Sequence, residues 1–81
     1  MDSTNFSVGG GINQMIMRSG IDTGYFTRNG EVFKSGLATD ISIANDGRIL
    51  KGGSYTGYLV GSGGAIVKEA DKGYSIDRVF Y

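Results

Sequence analysis

The chain alternates short apolar runs with glycine-containing turns, and this alternation repeats. Three segments align without a gap, each a turn dipeptide, one further residue, two apolar residues and a lysine: Asn29–Lys34, Asp46–Lys51 and Gly63–Lys68. Their glycines at the second position lie 17 residues apart, as do their lysines. A degenerate earlier copy begins at Met15, since Arg18-Ser19-Gly20 matches Lys34-Ser35-Gly36. Internal periodicity of this kind determines the architecture before any single residue does.

The turn dipeptides predict β-hairpins. Asn-Gly, Asp-Gly and Gly-Gly tolerate the positive φ that both central positions of a type I′ turn need, and the twist of this turn matches that of the flanking strands. Each dipeptide follows an apolar or β-branched run: Tyr25–Thr27, Ile41–Ile43 and Tyr58–Val60. Consecutive hairpins with these turns form an antiparallel meander.

The sequence therefore predicts one all-β domain over residues 1–81, a sandwich or barrel-like meander of repeated hairpins, with oligomerisation as one way of completing it. The repeat units span approximately 6–23, 24–40, 41–57 and 58–76. Eight or nine strands are expected, roughly at 4–8, 12–18, 24–28, 31–35, 40–44, 48–52, 57–60, 65–69 and 73–80. The run Gly9-Gly10-Gly11 is expected to be the turn between the first two strands.

Two alternatives stay open at this point. The period of 17 residues is close to the length of a small β-solenoid rung, although these dipeptide turns favour hairpins. Residues 65–72 also fit a short helix that ends before Gly73 and carries Ile66, Val67 and Ala70 on one face.

The strands carry apolar residues on both faces. A sheet with one wet face alternates apolar and polar residues, whereas this chain has adjacent apolar pairs at Val32-Phe33, Ile49-Leu50 and Ile66-Val67. A folded meander hides one face, so the other becomes a candidate contact surface. Phe33, Leu50 and Val67 are the candidate contact residues, and a homo-oligomer is favoured over a self-sufficient monomer.

Composition strengthens the case for assembly. A chain of 81 residues buries a modest core, which supplies only a few kcal/mol of net stability. The sequence has no Cys and no His, which excludes disulfides and Cys/His metal sites as supplements. Its 15 glycines add to the entropic cost of folding. Oligomerisation is the remaining common source of stability.

The same absences argue against an enzyme. The commonest general base and the strongest nucleophile are both missing, so only carboxylates, Lys, Tyr, Ser and Thr remain. The glycine-rich run Gly61–Ala65 lacks the Gly-Lys-Ser/Thr ending of a phosphate-binding loop, so we expect no cofactor. No catalytic, cofactor-binding or metal-binding residue is predicted.

Charge and targeting features restrict the partners. Eight basic and eight acidic residues give a formal net charge of zero, so neither duplex nucleic acid nor a membrane is an expected partner. The opening Met1–Asn5 has neither the positive region nor the apolar region of a secretory leader. We expect a soluble, non-secreted protein that is cytoplasmic or part of a virion.

The most regular polar feature is a set of lysines. Lys34, Lys51 and Lys68 fall on alternate strands, about 10 Å apart if consecutive hairpins lie side by side, and would form a row. Tyr25 and Tyr58 are added as candidates because tyrosine is enriched in contact surfaces. The predicted function is a non-enzymatic protein-interaction or structural module, of a kind that suits a viral or phage accessory role. The alternative is a binder of carbohydrate or an anionic nucleotide that uses the repeated Lys and Tyr positions.

Overall fold

A computed structural model describes residues 6–9 and 14–80, which form a single eight-stranded antiparallel sheet. The strands follow one another in chain order: β1 Phe6–Val8, β2 Gln14–Arg18, β3 Ile21–Arg28, β4 Glu31–Lys34, β5 Leu37–Ile43, β6 Arg48–Lys51, β7 Ser54–Val60 and β8 Ile66–Lys68. A 3-10 turn at Ser62–Gly64 connects the last two strands. Several predicted features lie outside the described residues. They are the beginning of the first strand at 4–5, the beginning of the second strand at 12–13, the Gly10-Gly11 part of the turn, and the segment Met1–Asn5.

The sheet curls until its first and last strands meet. Ser7 in β1 forms an antiparallel bridge with Ala65, which directly precedes β8, so the sheet is a nearly closed barrel. Gly64 makes this approach possible, because a side chain there would overlap the carbonyl oxygen of Val8. The all-β antiparallel meander is confirmed. The β-solenoid alternative is wrong, since every ladder joins sequence neighbours in antiparallel orientation.

Three similar bulges curve the sheet. Between β2 and β3, Ile16 lies opposite three residues, Thr23–Tyr25, and the same irregularity recurs between β4 and β5 and between β6 and β7. Each bulge has a threonine whose Oγ1 donates to the carbonyl of the opposing aliphatic residue: Thr23 to Ile16 at 2.8 Å, Thr39 to Val32 at 2.6 Å and Thr56 to Ile49 at 2.7 Å. The hydroxyl thus satisfies a carbonyl that the bulge removes from the ladder, and the bulges increase the twist that closes the barrel.

The core lies inside the barrel. Ile16, Val32, Ile49 and Ile66 point inward at equivalent positions of β2, β4, β6 and β8, and each is at most 1 % exposed. An eight-stranded barrel has an interior just wide enough for side chains to fill. The other buried apolar residues are Phe6, Val8, Tyr25, Ile41, Tyr58, Ile76, Val79 and Phe80.

The end of the chain departs from the prediction. Residues 65–72 contain strand β8 rather than a helix, so that alternative is wrong, and the expected ninth strand at 73–80 is wrong as well. Helix α1, Ile76–Val79, occupies that segment instead, with the Ser75 side chain accepting from the backbone N–H of Arg78. A ninth strand would need a free edge beside β8, and the bridge to β1 already occupies this edge.

The segment after β8 closes one end of the barrel. The Phe80 ring stacks on Phe6, with ring centroids 5.9 Å apart, and meets the edge of Tyr25 at 5.5 Å. The Tyr58 hydroxyl donates to the carbonyl of Tyr74 at 3.2 Å. We call residues 69–80 the C-terminal segment; its buried side chains fill the opening that the strands leave.

Candidate functional site

The outer face of the barrel carries apolar side chains at the positions next to the core residues. Phe33, Leu50 and Val67 each follow an inward-pointing aliphatic residue, and alternation along the strand turns them outward. Val67 is 42 % exposed, and the other two are half-buried. Leu50 pairs across the ladder with Tyr55, whereas Val67 pairs with Leu59. The structure thus places these three predicted contact residues on the outer surface.

A row of large apolar side chains crosses three adjacent strands of this face. Met15 in β2 is the ladder partner of Phe26 in β3, and Phe26 is the partner of Phe33 in β4. The two phenylalanine rings stack with centroids 5.2 Å apart and planes inclined by 15°. Met15 is 41 % exposed. We call Met15, Phe26 and Phe33 the aromatic row.

The two predicted tyrosines lie inside the barrel. Tyr25 and Tyr58 are 4 % and 1 % exposed, so their rings belong to the core and not to the outer surface. Burial, followed by the Asp40 carboxylate, raises the pKa of Tyr25 above its usual value. The signal was present in the sequence: both tyrosines follow a glycine that follows a threonine, and those three-residue groups form bulges.

The predicted lysines gather at one end of the barrel, together with Arg18. Arg18, Lys34, Lys51 and Lys68 are the last residues of β2, β4, β6 and β8, and each comes two positions after a buried aliphatic residue. Alternate strands of a meander run in the same direction, so all four lie at the end that the C-terminal segment closes. We call this set the basic rim. Sequence reasoning found three of its members and left Arg18 out, although the Arg-Ser-Gly and Lys-Ser-Gly match already marked it as equivalent.

Two rim residues hold the C-terminal segment. The Lys51 ammonium donates to the carbonyl of Arg78 at 3.3 Å. The Lys68 ammonium lies 4.0 Å from the carboxylate of Asp71. Both contacts join the rim to backbone or side chains that follow β8, so these lysines contribute to closing the barrel.

The other two rim residues lie over aromatic rings. The Arg18 guanidinium is 5.3 Å from the centroid of Phe6, and the Lys34 ammonium is 4.9 Å from that of Tyr25. Arg18 also forms an ion pair with Asp77, with Nη2 and Oδ1 separated by 3.4 Å. Cation–π contacts restrict where each charge sits while leaving it open to solvent.

A polar contact on the outer face ties the C-terminal segment to β7. The Tyr55 hydroxyl donates a short hydrogen bond to Glu69. Burial and then this hydrogen bond raise the pKa of Tyr55 to about 12. Arg48 lies over the same ring, 5.2 Å from its centroid, and favours the ionised hydroxyl, but its influence is smaller.

These surfaces present apolar side chains on the outer face and positive charge at one end of the barrel. Across residues 6–9 and 14–80, no group of three or more His, Cys, Asp or Glu is arranged to hold a metal ion. In the same part of the chain, no helix is long and apolar enough to cross a membrane. Comparisons with protein-family models, with curated proteins and with solved structures find no match to this chain.

Proposed function

We propose that this protein is a non-enzymatic interaction and assembly module that forms a homo-oligomer through the outer face of its barrel. The aromatic row is the observation that carries the proposal. Its three side chains adjoin across β2, β3 and β4 on the face that the core leaves uncovered. Large apolar side chains grouped on an outer face are typical of contact surfaces.

A second copy of the chain suits this surface. Eight basic and eight acidic residues leave no net charge to repel an identical molecule. A two-fold contact needs only one self-complementary patch, and two sheet faces stack about 10 Å apart with their side chains interleaved. A cleft of about 230 Å³ beside the row, lined in part by Met15 and Phe26, has room for a side chain of the partner.

Burial on a partner would also supplement a small core. Complete burial of one phenylalanine or methionine side chain contributes about 1.5–3 kcal/mol, and the half-buried row has part of that still to gain. A patch of three such residues on each copy is therefore comparable to the few kcal/mol expected from the core of a domain of this size.

Light scattering on a charged variant tests the proposal. Phe33→Asp places a carboxylate in the middle of the row, so we expect the wild type to have an oligomeric mass and the variant to have the monomer mass. Met15→Asp is a second variant at a more exposed position, where the risk of unfolding is smaller. Circular dichroism confirms that each variant keeps its β structure.

Leu37→Asp is the matched control. Leu37 is 73 % exposed at the start of β5, outside the aromatic row, so the same charge there leaves the oligomeric mass unchanged. A wild type with monomer mass, or folded row variants that keep the wild-type mass, would show that the row is not an assembly surface. Leu50→Asp, on the same outer face, then tests whether contact extends to the side that includes Leu59 and Val67.

The accessory or structural role in a virus or phage remains a prediction from composition. A homo-oligomeric module is consistent with it, and detection of the protein in purified virus or phage particles would test it. The carbohydrate alternative drew on Tyr25 and Tyr58, which are buried, whereas binding of an anion is supported by the cations of the basic rim.

A further inference from the structure

A cleft opens at the barrel end beside the C-terminal segment. It has a volume of about 520 Å³, which is in the range of small-molecule sites. It contains none of the aromatic-row side chains, although its Lys34 directly follows Phe33 in β4. Its lining residues are Phe6, Arg18, Thr23, Lys34, Asp77 and Phe80.

The two cations of this cleft are positioned by the core beneath them. The rings of Phe6 and Tyr25, under Arg18 and Lys34 respectively, are each only 4 % exposed and are therefore fixed by packing. A cation held over a fixed ring loses little further side-chain freedom when an anion arrives. Two positive charges thus flank one cavity at defined places.

The cleft already accommodates one carboxylate. Asp77, in α1, pairs with Arg18 at 3.4 Å, and the side chains of the two residues are 61 % and 55 % exposed. An ion pair this open to water is weak and exchanges readily, because solvent screens it. Asp77 therefore shows that Arg18 can bind a carboxylate. An incoming anion competes with Asp77 for Arg18.

A second cleft at the same end is a poorer candidate. It measures about 600 Å³ and is lined by Lys51, Tyr74, Asp77 and Arg78. Its lysine already donates to the backbone carbonyl of Arg78 and so is engaged in holding the C-terminal segment. An anion there would have to break a contact that closes the barrel.

We propose that the cleft between Arg18 and Lys34 binds a small molecule that carries oxyanion groups, either phosphoryl or carboxylate. Guanidinium recognises such groups through paired N–H donors, and the ammonium adds a second point of charge. Displacement of Asp77 from Arg18 accompanies binding. The site uses none of the aromatic-row side chains, so the inference does not depend on the proposed assembly.

Titrations followed by ¹H–¹⁵N NMR test this site. Inorganic pyrophosphate and citrate are added separately at low ionic strength, and we expect saturable shifts at Arg18, Thr23 and Lys34 that weaken as salt is added. Stronger binding of pyrophosphate assigns a phosphoryl ligand, whereas stronger binding of citrate assigns a carboxylate. Saturation by neither probe, or shifts confined to other residues, would overturn the proposal.

Two charge variants separate a local site from general attraction. Arg18→Gln/Lys34→Gln removes both cations, and we expect at least a tenfold loss of affinity. Arg28→Gln/Arg48→Gln removes the same charge at the opposite end of the strands and is expected to retain most of the affinity. Equal losses from the two double variants would mean that the anions respond only to net charge.

Asp77→Asn is the variant that keeps both cations of the site. It removes the competing carboxylate from an exposed position, so we expect several-fold tighter binding of the preferred probe. Unchanged affinity would show that the anion does not approach Arg18. The oligomeric mass of the same samples stays that of the wild type, which distinguishes a failure here from a failure of the assembly proposal.

Discussion

The hairpins of residues 14–60 and the C-terminal segment share a sequence pattern but not a conformation. Gly57-Tyr58 belongs to β7, where Tyr58 enters the core, and Gly73-Tyr74 recurs 16 residues later. The second pair does not extend the sheet, because Ala65 beside β8 is already bridged to Ser7. Local sequence thus sets strands and turns, whereas closure of the sheet sets how many strands it can hold.

Because of this difference, the C-terminal segment is held by individual side-chain and backbone contacts and not by a ladder of its own. Three of its attachments to the barrel differ in kind: the buried ring of Phe80, the backbone contact of Ala70 with Gly57, and the hydrogen bond from Tyr55 to Glu69. Breaking them one at a time measures how strongly the hairpins need this segment.

Removal of the Phe80 ring is expected to have the largest effect. Phe80 is 5 % exposed and contacts the rings of Phe6 and Tyr25, so Phe80→Ala leaves a cavity in the closed end. We expect the free energy of unfolding to fall by about 3–5 kcal/mol in urea titrations. Leu37→Ala, at a position 73 % exposed, should change it by about 0.5 kcal/mol or less. Similar losses for both variants would mean that the segment does not pack on the core.

The approach of Ala70 to Gly57 gives an intermediate effect and has an internal control. Gly24 and Gly57 occupy equivalent bulges and both have φ of +90°, so alanine strains the backbone equally at the two positions. A side chain at Gly57 would overlap the carbonyl oxygen of Ala70, whereas open space surrounds Gly24. We expect Gly57→Ala to lower the free energy of unfolding by about 1–3 kcal/mol more than Gly24→Ala does, and to lower the melting temperature further as well. Equal losses of stability in the two variants would mean that backbone strain accounts for the whole effect.

The hydrogen bond from Tyr55 to Glu69 gives the smallest effect, one that depends on pH. The pKa of Tyr55 is raised from 10.0 to about 12, so the folded protein holds this proton more tightly than the unfolded chain does. The stabilisation is fully present below pH 10 and is lost as pH rises from 10 to about 12. The difference in tyrosinate absorbance between wild type and Tyr55→Phe reports the pKa, which Glu69→Gln should lower. An unchanged pKa in that variant would show that Glu69 does not contribute.

The hairpin architecture was predictable because its signals are local. Asn29-Gly30 forms the turn between β3 and β4 with φ of 54° and 84°, as a type I′ turn requires. The adjacent pairs, such as Val32-Phe33, correctly indicated apolar side chains on both faces. The gathering of the lysines at one end followed from the repeat, since equivalent positions of alternate strands lie side by side.

The remainder depended on contacts between distant parts of the chain. Thr23, Thr39 and Thr56 recur at nearly the repeat spacing, yet their role becomes clear only with the carbonyls that they cap across the ladder. Whether Gly73-Tyr74 could join the sheet as a further strand depended on whether β8 still had a free edge. Neither fact can be read from a short stretch of neighbouring residues. For this reason the sequence predicted a ninth strand.

The strictly sequential order of the strands has a consequence for how the protein folds. Every full ladder joins strands that are neighbours in the chain, so each hairpin closes a short loop at low entropic cost and forms rapidly. Among the strand pairings of the described residues, the bridge between Ser7 and Ala65 joins the most distant parts of the chain. We therefore expect the hairpins to assemble early and the bridge to form last. We expect the folded sheet to open first at the same bridge, so that its amides exchange hydrogen sooner than those of the central strands.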